Sequence, residues 1–90
     1  MSVKVILDSV LPKEACAGDS LEIEGRNVDE CLTEVVKRFP VLHEKVFSPI
    51  GELQGWIEIF VNGVHAYPEN LGYPVEEGDE IEVRVFLPGG

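Results

Sequence analysis

Basic residues are scarce in this chain. Seven Lys and Arg stand against seventeen Asp and Glu, a formal charge of −10 over 90 residues. A nucleic-acid binder needs a basic patch to displace counterions from phosphates, and the basic residues here are scattered among acids. DNA, RNA and anionic membrane surfaces are therefore excluded as main partners. A basic protein partner is favoured, because opposite fields speed encounter. Cysteine is sparse too. Cys16 and Cys31 are too few for a disulfide framework, and they form no CxxC pair of the zinc-knuckle or thioredoxin kind. A cysteine-ligated iron–sulfur cluster needs four such ligands. His43 and His65 share no metal-ligand spacing with the cysteines, so no metal site is expected. No apolar run approaches the roughly 20 residues of a membrane span. The opening MSVKVILDSVLP lacks the long apolar stretch and small-residue cleavage site of a signal peptide. The expected setting is the cytoplasm. Aromatics are few at 8%, yet apolar residues reach 44%, enough for one modest core. The length predicts a single domain over residues 1–90.

What is present is alternation. Val3, Val5 and Leu7 alternate with Lys4, Ile6 and Asp8, which predicts a half-buried strand. Pro12 ends it and Gly18-Asp19 makes a turn. Leu21 and Ile23 alternate with Glu22 and Glu24 in a second short strand. One clear helix follows. Asn27 suits its N-cap, with Glu30 placed to close a capping box. Cys31, Leu32, Val35, Val36 and Phe39 form an apolar stripe, and Pro40 stops the helix. Residues 41–47 suit another helical turn. Residues 56–61 are β-formers broken only by Glu58, which reads as a strand covered on both faces. Asn62-Gly63 suits a type I′ hairpin, with 64–67 as the return strand. PENLGYP at 68–74 is a turn-rich connection, Glu76-Glu77-Gly78-Asp79 is an acidic turn, and Ile81, Val83 and Val85 mark a last strand. The order β-β-α-β-β-β predicts an α+β fold of the β-grasp kind. It has a mixed sheet of about five strands with one main helix packed on one face. In that arrangement the first and last strands lie side by side at the sheet centre.

The sequence closes on Gly89-Gly90, a few residues beyond the last strand. Glycines have no side chain to pack, so such a tail is expected to be flexible and able to thread a narrow channel. A bare terminal carboxylate can attack the α-phosphate of ATP to form an acyl-adenylate. It can then pass its acyl group to sulfur or to an amine. The sequence holds no phosphate-cradling loop, so activation falls to a partner enzyme.

Three segments carry a family resemblance. FVNG at 60–63, PVEEGDEIEV at 74–83 and Gly89-Gly90, after a helix ending in Arg38-Phe39-Pro40, resemble the MoaD/ThiS family of ubiquitin-like sulfur carriers. The resemblance implies that an E1-like adenylyltransferase of the MoeB/ThiF kind spends ATP to adenylate the Gly90 carboxylate, with Gly89 giving it reach. No cofactor is bound by the carrier itself. Sulfur then replaces AMP, giving a thiocarboxylate that a downstream enzyme consumes. In the molybdopterin branch the carrier is the small subunit, and its tail enters the MoaE-like large subunit to help build the molybdenum or tungsten cofactor. The long segment 41–55 is similar to longer MoaD-like chains, including CysO of cysteine synthesis, and the thiamine branch is typically shorter. Conjugation to target lysines through Gly90, as a ubiquitin-like modifier, uses the same adenylate. Pro88 directly precedes the glycines, where many members carry their prolines further upstream.

Docking candidates lie near the tail in sequence. Glu76, Glu77 and Asp79 read as an acidic docking surface or as a solvated turn. Alternation puts Leu87 on the core side and Phe86 on the other, which makes Phe86 the expected interface residue, with Leu87 and Pro88 beside it. Cys31 reads as inert core. Cys16 falls in an expected loop, and Trp56 reads as sheet core or edge packing.

Overall fold

The computed structural model describes residues 2–8 and 20–86. Strand β1 (Ser2–Leu7) buries Val3 and Val5 completely while Lys4 faces solvent, as a pleated strand with one covered face must. Strand β2 (Leu21–Glu24) runs antiparallel to it, with Ile23 opposite Val3 and Glu22 opposite Lys4. Pro12, Cys16 and the expected Gly18-Asp19 turn lie outside the described residues.

Helix α1 (Val28–Arg38) starts where Asn27 predicts. The Asn27 side chain accepts the Glu30 N–H at 2.8 Å. The return contact differs from a capping box. The Glu30 carboxylate accepts the N–H of Arg26 at 2.9 Å, one residue upstream of the cap. Acids in the first turn and bases in the last complement the helix dipole. Val28, Cys31, Leu32 and Val35 are buried against the sheet, with Val36 and Phe39 at the margin. Gly25 has no alternative here, since a Cβ at that position would lie 2.7 Å from the Cys31 Sγ. After Phe39 a 3-10 turn (Pro40–Leu42) and a short helix α2 (His43–Val46) supply the helical turn expected over 41–47, burying Leu42 and Val46.

Strand β3 (Ile57–Val61) departs from its expectation. Ile57, Ile59 and Val61 are buried, but Glu58 and Phe60 are half-buried on the face away from the core. The strand is covered on one side, and the apolar Phe60 on the other face disguised the alternation. Asn62 and Gly63 take φ of 52° and 82°, the two positive values a type I′ hairpin needs. The return strand β4 (Val64–His65) is shorter than 64–67, although the next N–H, that of the buried Ala66, still donates to the Ile59 carbonyl at 2.9 Å. The connection 68–74 does more than turn. The Tyr73 carbonyl accepts the Val28 N–H at 3.0 Å, and the Val75 N–H reaches the Arg26 carbonyl at 2.9 Å, fastening the helix entrance.

Strand β5 (Glu80–Val85) closes the sheet in the order β2-β1-β5-β3-β4. It runs parallel to β1, with Ile81 beside Val5, and antiparallel to β3, with Val83 opposite Ile59. The first and last strands are therefore adjacent in the middle of the sheet, with the core between them and α1.

Cys31 reports on that core. Burial, helped by the nearby Glu30 charge, pushes its thiol from 9.0 up to about 11. The unfolded chain loses this proton first, so stability is full below pH 9 and falls as pH rises towards 11. At pH 10.5 the loss is roughly 2 kcal/mol relative to pH 8. Urea midpoints of wild type and Cys31→Ala at both pH values test this. The wild type should lose that much more than the variant, and parallel losses would contradict it.

Candidate functional site

The site is built around the last described residue. On β5, Ile81 and Val83 face the core, while Glu82 and Arg84 face the other way. Phe86 continues the second set and is 54% exposed. Its N–H donates to the Trp56 carbonyl at 2.6 Å. Trp56 belongs neither to the core nor to the strand proper. It is 41% exposed, and its indole N–H donates to the Lys45 carbonyl at 3.0 Å, tying the end of α2 to the start of β3. On the β1 side, the Asp8 N–H donates to the Val83 carbonyl at 2.9 Å, and an Asp8 carboxylate oxygen accepts the Val85 N–H at 3.0 Å.

The open face beside Phe86 mixes apolar and charged groups. Ile6 and Phe60 flank Glu82 from the two neighbouring strands. The Arg84 guanidinium lies 4.1 Å from the centre of the Phe60 ring, a cation–π distance. The same guanidinium donates to both Glu82 oxygens, at 2.8 and 3.1 Å. This hydrogen bonding holds the Glu82 carboxyl below the usual carboxylate range and Arg84 above its ordinary value. His65 meets the Phe60 ring edge-on at 5.0 Å, with Nε2 3.4 Å from a Glu58 oxygen. Sequence reading missed Phe60 by placing it in a two-sided strand. The charges at Glu58 and Glu82 were the signal that this face is open.

The acidic turn lies elsewhere. Glu76, Glu77 and Asp79 precede β5, and Phe86 follows it. At about 3.3 Å per residue, Asp79 and Phe86 are roughly 20 Å apart. Two of these acids hold the turn together and tie it to its neighbours. Glu77 accepts the Ser2 N–H at 2.8 Å, and Asp79 accepts from the Glu76 N–H and the Asn62 side-chain amide at 2.8 and 3.0 Å. The fold thus groups these acids with one another and not with Phe86. Leu87, Pro88, Gly89 and Gly90 lie outside the described residues. Among the described residues no three His, Cys, Asp or Glu side chains converge as a metal site would require, and no helix is long and apolar enough to cross a membrane.

No family model matches the chain, and no curated protein matches it by sequence. Solved structures do. Small archaeal modifier protein 1 from Methanosarcina acetivorans is 30% identical, with a TM-score of 0.85 over 99% of this chain and 96% of that one. CysO in the Amycolatopsis orientalis BexX/CysO complex is 22% identical, with a TM-score of 0.85 over 98% and 99%. A chain of the complex between subunits 1 and 2 of the Helicobacter pylori molybdopterin-converting factor is 21% identical, with a TM-score of 0.63 over the full length of both. The last two likenesses show the fold alone. The fold is the ubiquitin-like β-grasp. With the whole-length match to the archaeal modifier, the chain belongs to the MoaD/ThiS ubiquitin-like sulfur-carrier family.

Proposed function

We propose that this protein is a sulfur carrier whose reactive group is the Gly90 carboxylate. A carboxylate oxygen attacks the α-phosphorus of ATP on an E1-like enzyme, and pyrophosphate leaves. Hydrosulfide then attacks the acyl carbon, AMP leaves, a proton is lost to solvent, and a thiocarboxylate remains. The partner we assign first is the large subunit of a molybdopterin synthase, in whose active site the sulfur passes to a small molecule. The observation carrying this reading is the central β5. It presents an exposed Phe86 directly before Leu87-Pro88-Gly89-Gly90, whose last two residues have no side chains to obstruct a partner's channel. A docked partner agrees with the relatives, since both CysO and the molybdopterin-converting subunit occur in complexes.

A second reading is favoured by the 30% identity to an archaeal modifier. The same adenylate would then acylate a lysine on a target protein. One experiment separates the two. The protein is incubated with ATP, sulfide and an E1-like enzyme from its source, alkylated, and fragmented for mass analysis. An alkylated thiocarboxylate at Gly90 is the expected result, with sulfur transfer to a small molecule in the presence of a purified large subunit as its sequel. AMP release without thiocarboxylate, together with reductant-resistant conjugates, would replace carriage by modification. Neither product from a demonstrably active enzyme would overturn both.

A further inference from the structure

Strand β5 is held on both sides up to its end, but by different means. Towards β3 the final bond is backbone to backbone, from the Phe86 N–H to the Trp56 carbonyl. Towards β1 the register pairs Leu7 with Val83, and the Asp8 N–H donates to the Val83 carbonyl. A regular parallel ladder would next send the Val85 N–H to the backbone carbonyl of residue 8. Here the Asp8 side chain accepts it instead, at 3.0 Å. The strand assignment of β1 stops at Leu7, yet its neighbour's carboxylate keeps Val85 in line.

We infer that Asp8 is a positioning residue that fixes where β5 ends and the tail begins. It rests on the reading that Gly90 is the activated group. With Asp8 in place, the last anchored residues are Val85 and Phe86. Without it, the β1 side lets go at Val83, and Val85 and Phe86 lose one of the two bonds that fix their place. Fewer molecules then hold the orientation that enters a partner's channel. A reduced competent fraction raises the apparent binding constant and leaves the bound-state chemistry alone.

The test uses Asp8→Ala and Asp8→Asn, the second of which keeps an acceptor oxygen. Amide exchange at Val85 should quicken about tenfold in the alanine variant, the loss of one hydrogen bond, and stay near wild type in the asparagine variant. In thiocarboxylate formation with the E1-like enzyme, ATP and sulfide, the alanine variant should show a KM raised about five- to tenfold with kcat unchanged. Asparagine should restore it. Thermal melts establish that each variant is folded at the assay temperature. Asp8→Val, a good strand residue without an acceptor, replaces alanine if that variant does not melt cooperatively. Unchanged exchange at Val85 overturns the anchor. Faster exchange with unchanged KM overturns the positioning role, and asparagine behaving like alanine overturns the acceptor assignment. If the wild type itself forms no adenylate, the carrier reading fails, and exchange at Val85 alone decides whether Asp8 sets the end of the strand.

Discussion

Replacing Ile59 by alanine should lower the unfolding free energy by about 3–4 kcal/mol. Ile59 is fully buried at the middle of β3, opposite Val83, and its carbonyl accepts the Ala66 N–H at 2.9 Å. Truncation removes three carbons from the most enclosed part of the core. The backbone there is bonded on both sides, so the sheet cannot close over the gap. A domain of this length has roughly 5–13 kcal/mol in total, so the variant would forfeit a quarter to over half of it. Ile50 is the control. It is 79% exposed on a turn, and Ile50→Ala should change stability by less than about 0.5 kcal/mol. Urea titration of the two variants measures both. A loss under about 1 kcal/mol for Ile59→Ala would show that the core collapses around the deletion and that the sheet is less rigid than its ladders suggest.

The second large effect falls on docking. Phe86→Asp should weaken binding to the activating enzyme by about 30-fold or more, the scale of an interface hot spot. Its melting temperature should stay unchanged. The separation of effects follows from geometry. The Phe86 ring is half-exposed, and the residue's bond to the sheet runs through its backbone N–H, which every non-proline substitution keeps. An aspartate would also add charge to a face that already carries Glu58 and Glu82. The chain's single tryptophan sits next to this point in the sheet, so Trp56 fluorescence gives a direct titration signal. Glu76→Gln, at the far end of β5, should bind within about twofold of wild type, as an exposed charge removed far from the contact does. Equal affinity for wild type and Phe86→Asp would move the docking face elsewhere.

Much of this architecture was legible because local signals agreed. Asn27, Glu30 and Pro40 bracket the helix, Asn62-Gly63 demands its hairpin, and Ile81, Val83 and Val85 alternate cleanly. What the sequence hid has a common cause, which is contact distant in sequence. Phe60 looked like core because the one local sign of an open face, Glu58, was outweighed by the apolar run around it, and Arg84, 4.1 Å from the Phe60 ring, comes from another strand. The acidic turn is near the tail in sequence, but the residues between it and Phe86 form an extended strand, the longest path per residue that a regular element offers. The Asp8 bond joins positions 77 apart, beyond any pattern of spacing. Trp56 looked like a packing residue, and its indole hydrogen bond to Lys45 depends on a helical turn whose placement no periodicity fixes.

The central pairing of β1 with β5 bears on how the molecule is made. Strand β1 emerges first from the ribosome and must wait for its principal neighbour until residues 80–85 are synthesised. Until then β1 and β3 expose the inner edges that β5 will occupy, and pairing across such a separation is slow. A nascent chain interrupted before β5 therefore has no finished sheet. The segment that completes the fold directly precedes the residues proposed for chemistry, so a chain cut short before β5 offers no finished sheet to carry them. An activating enzyme that grips the folded sheet would meet almost no chains lacking the root of the reactive end.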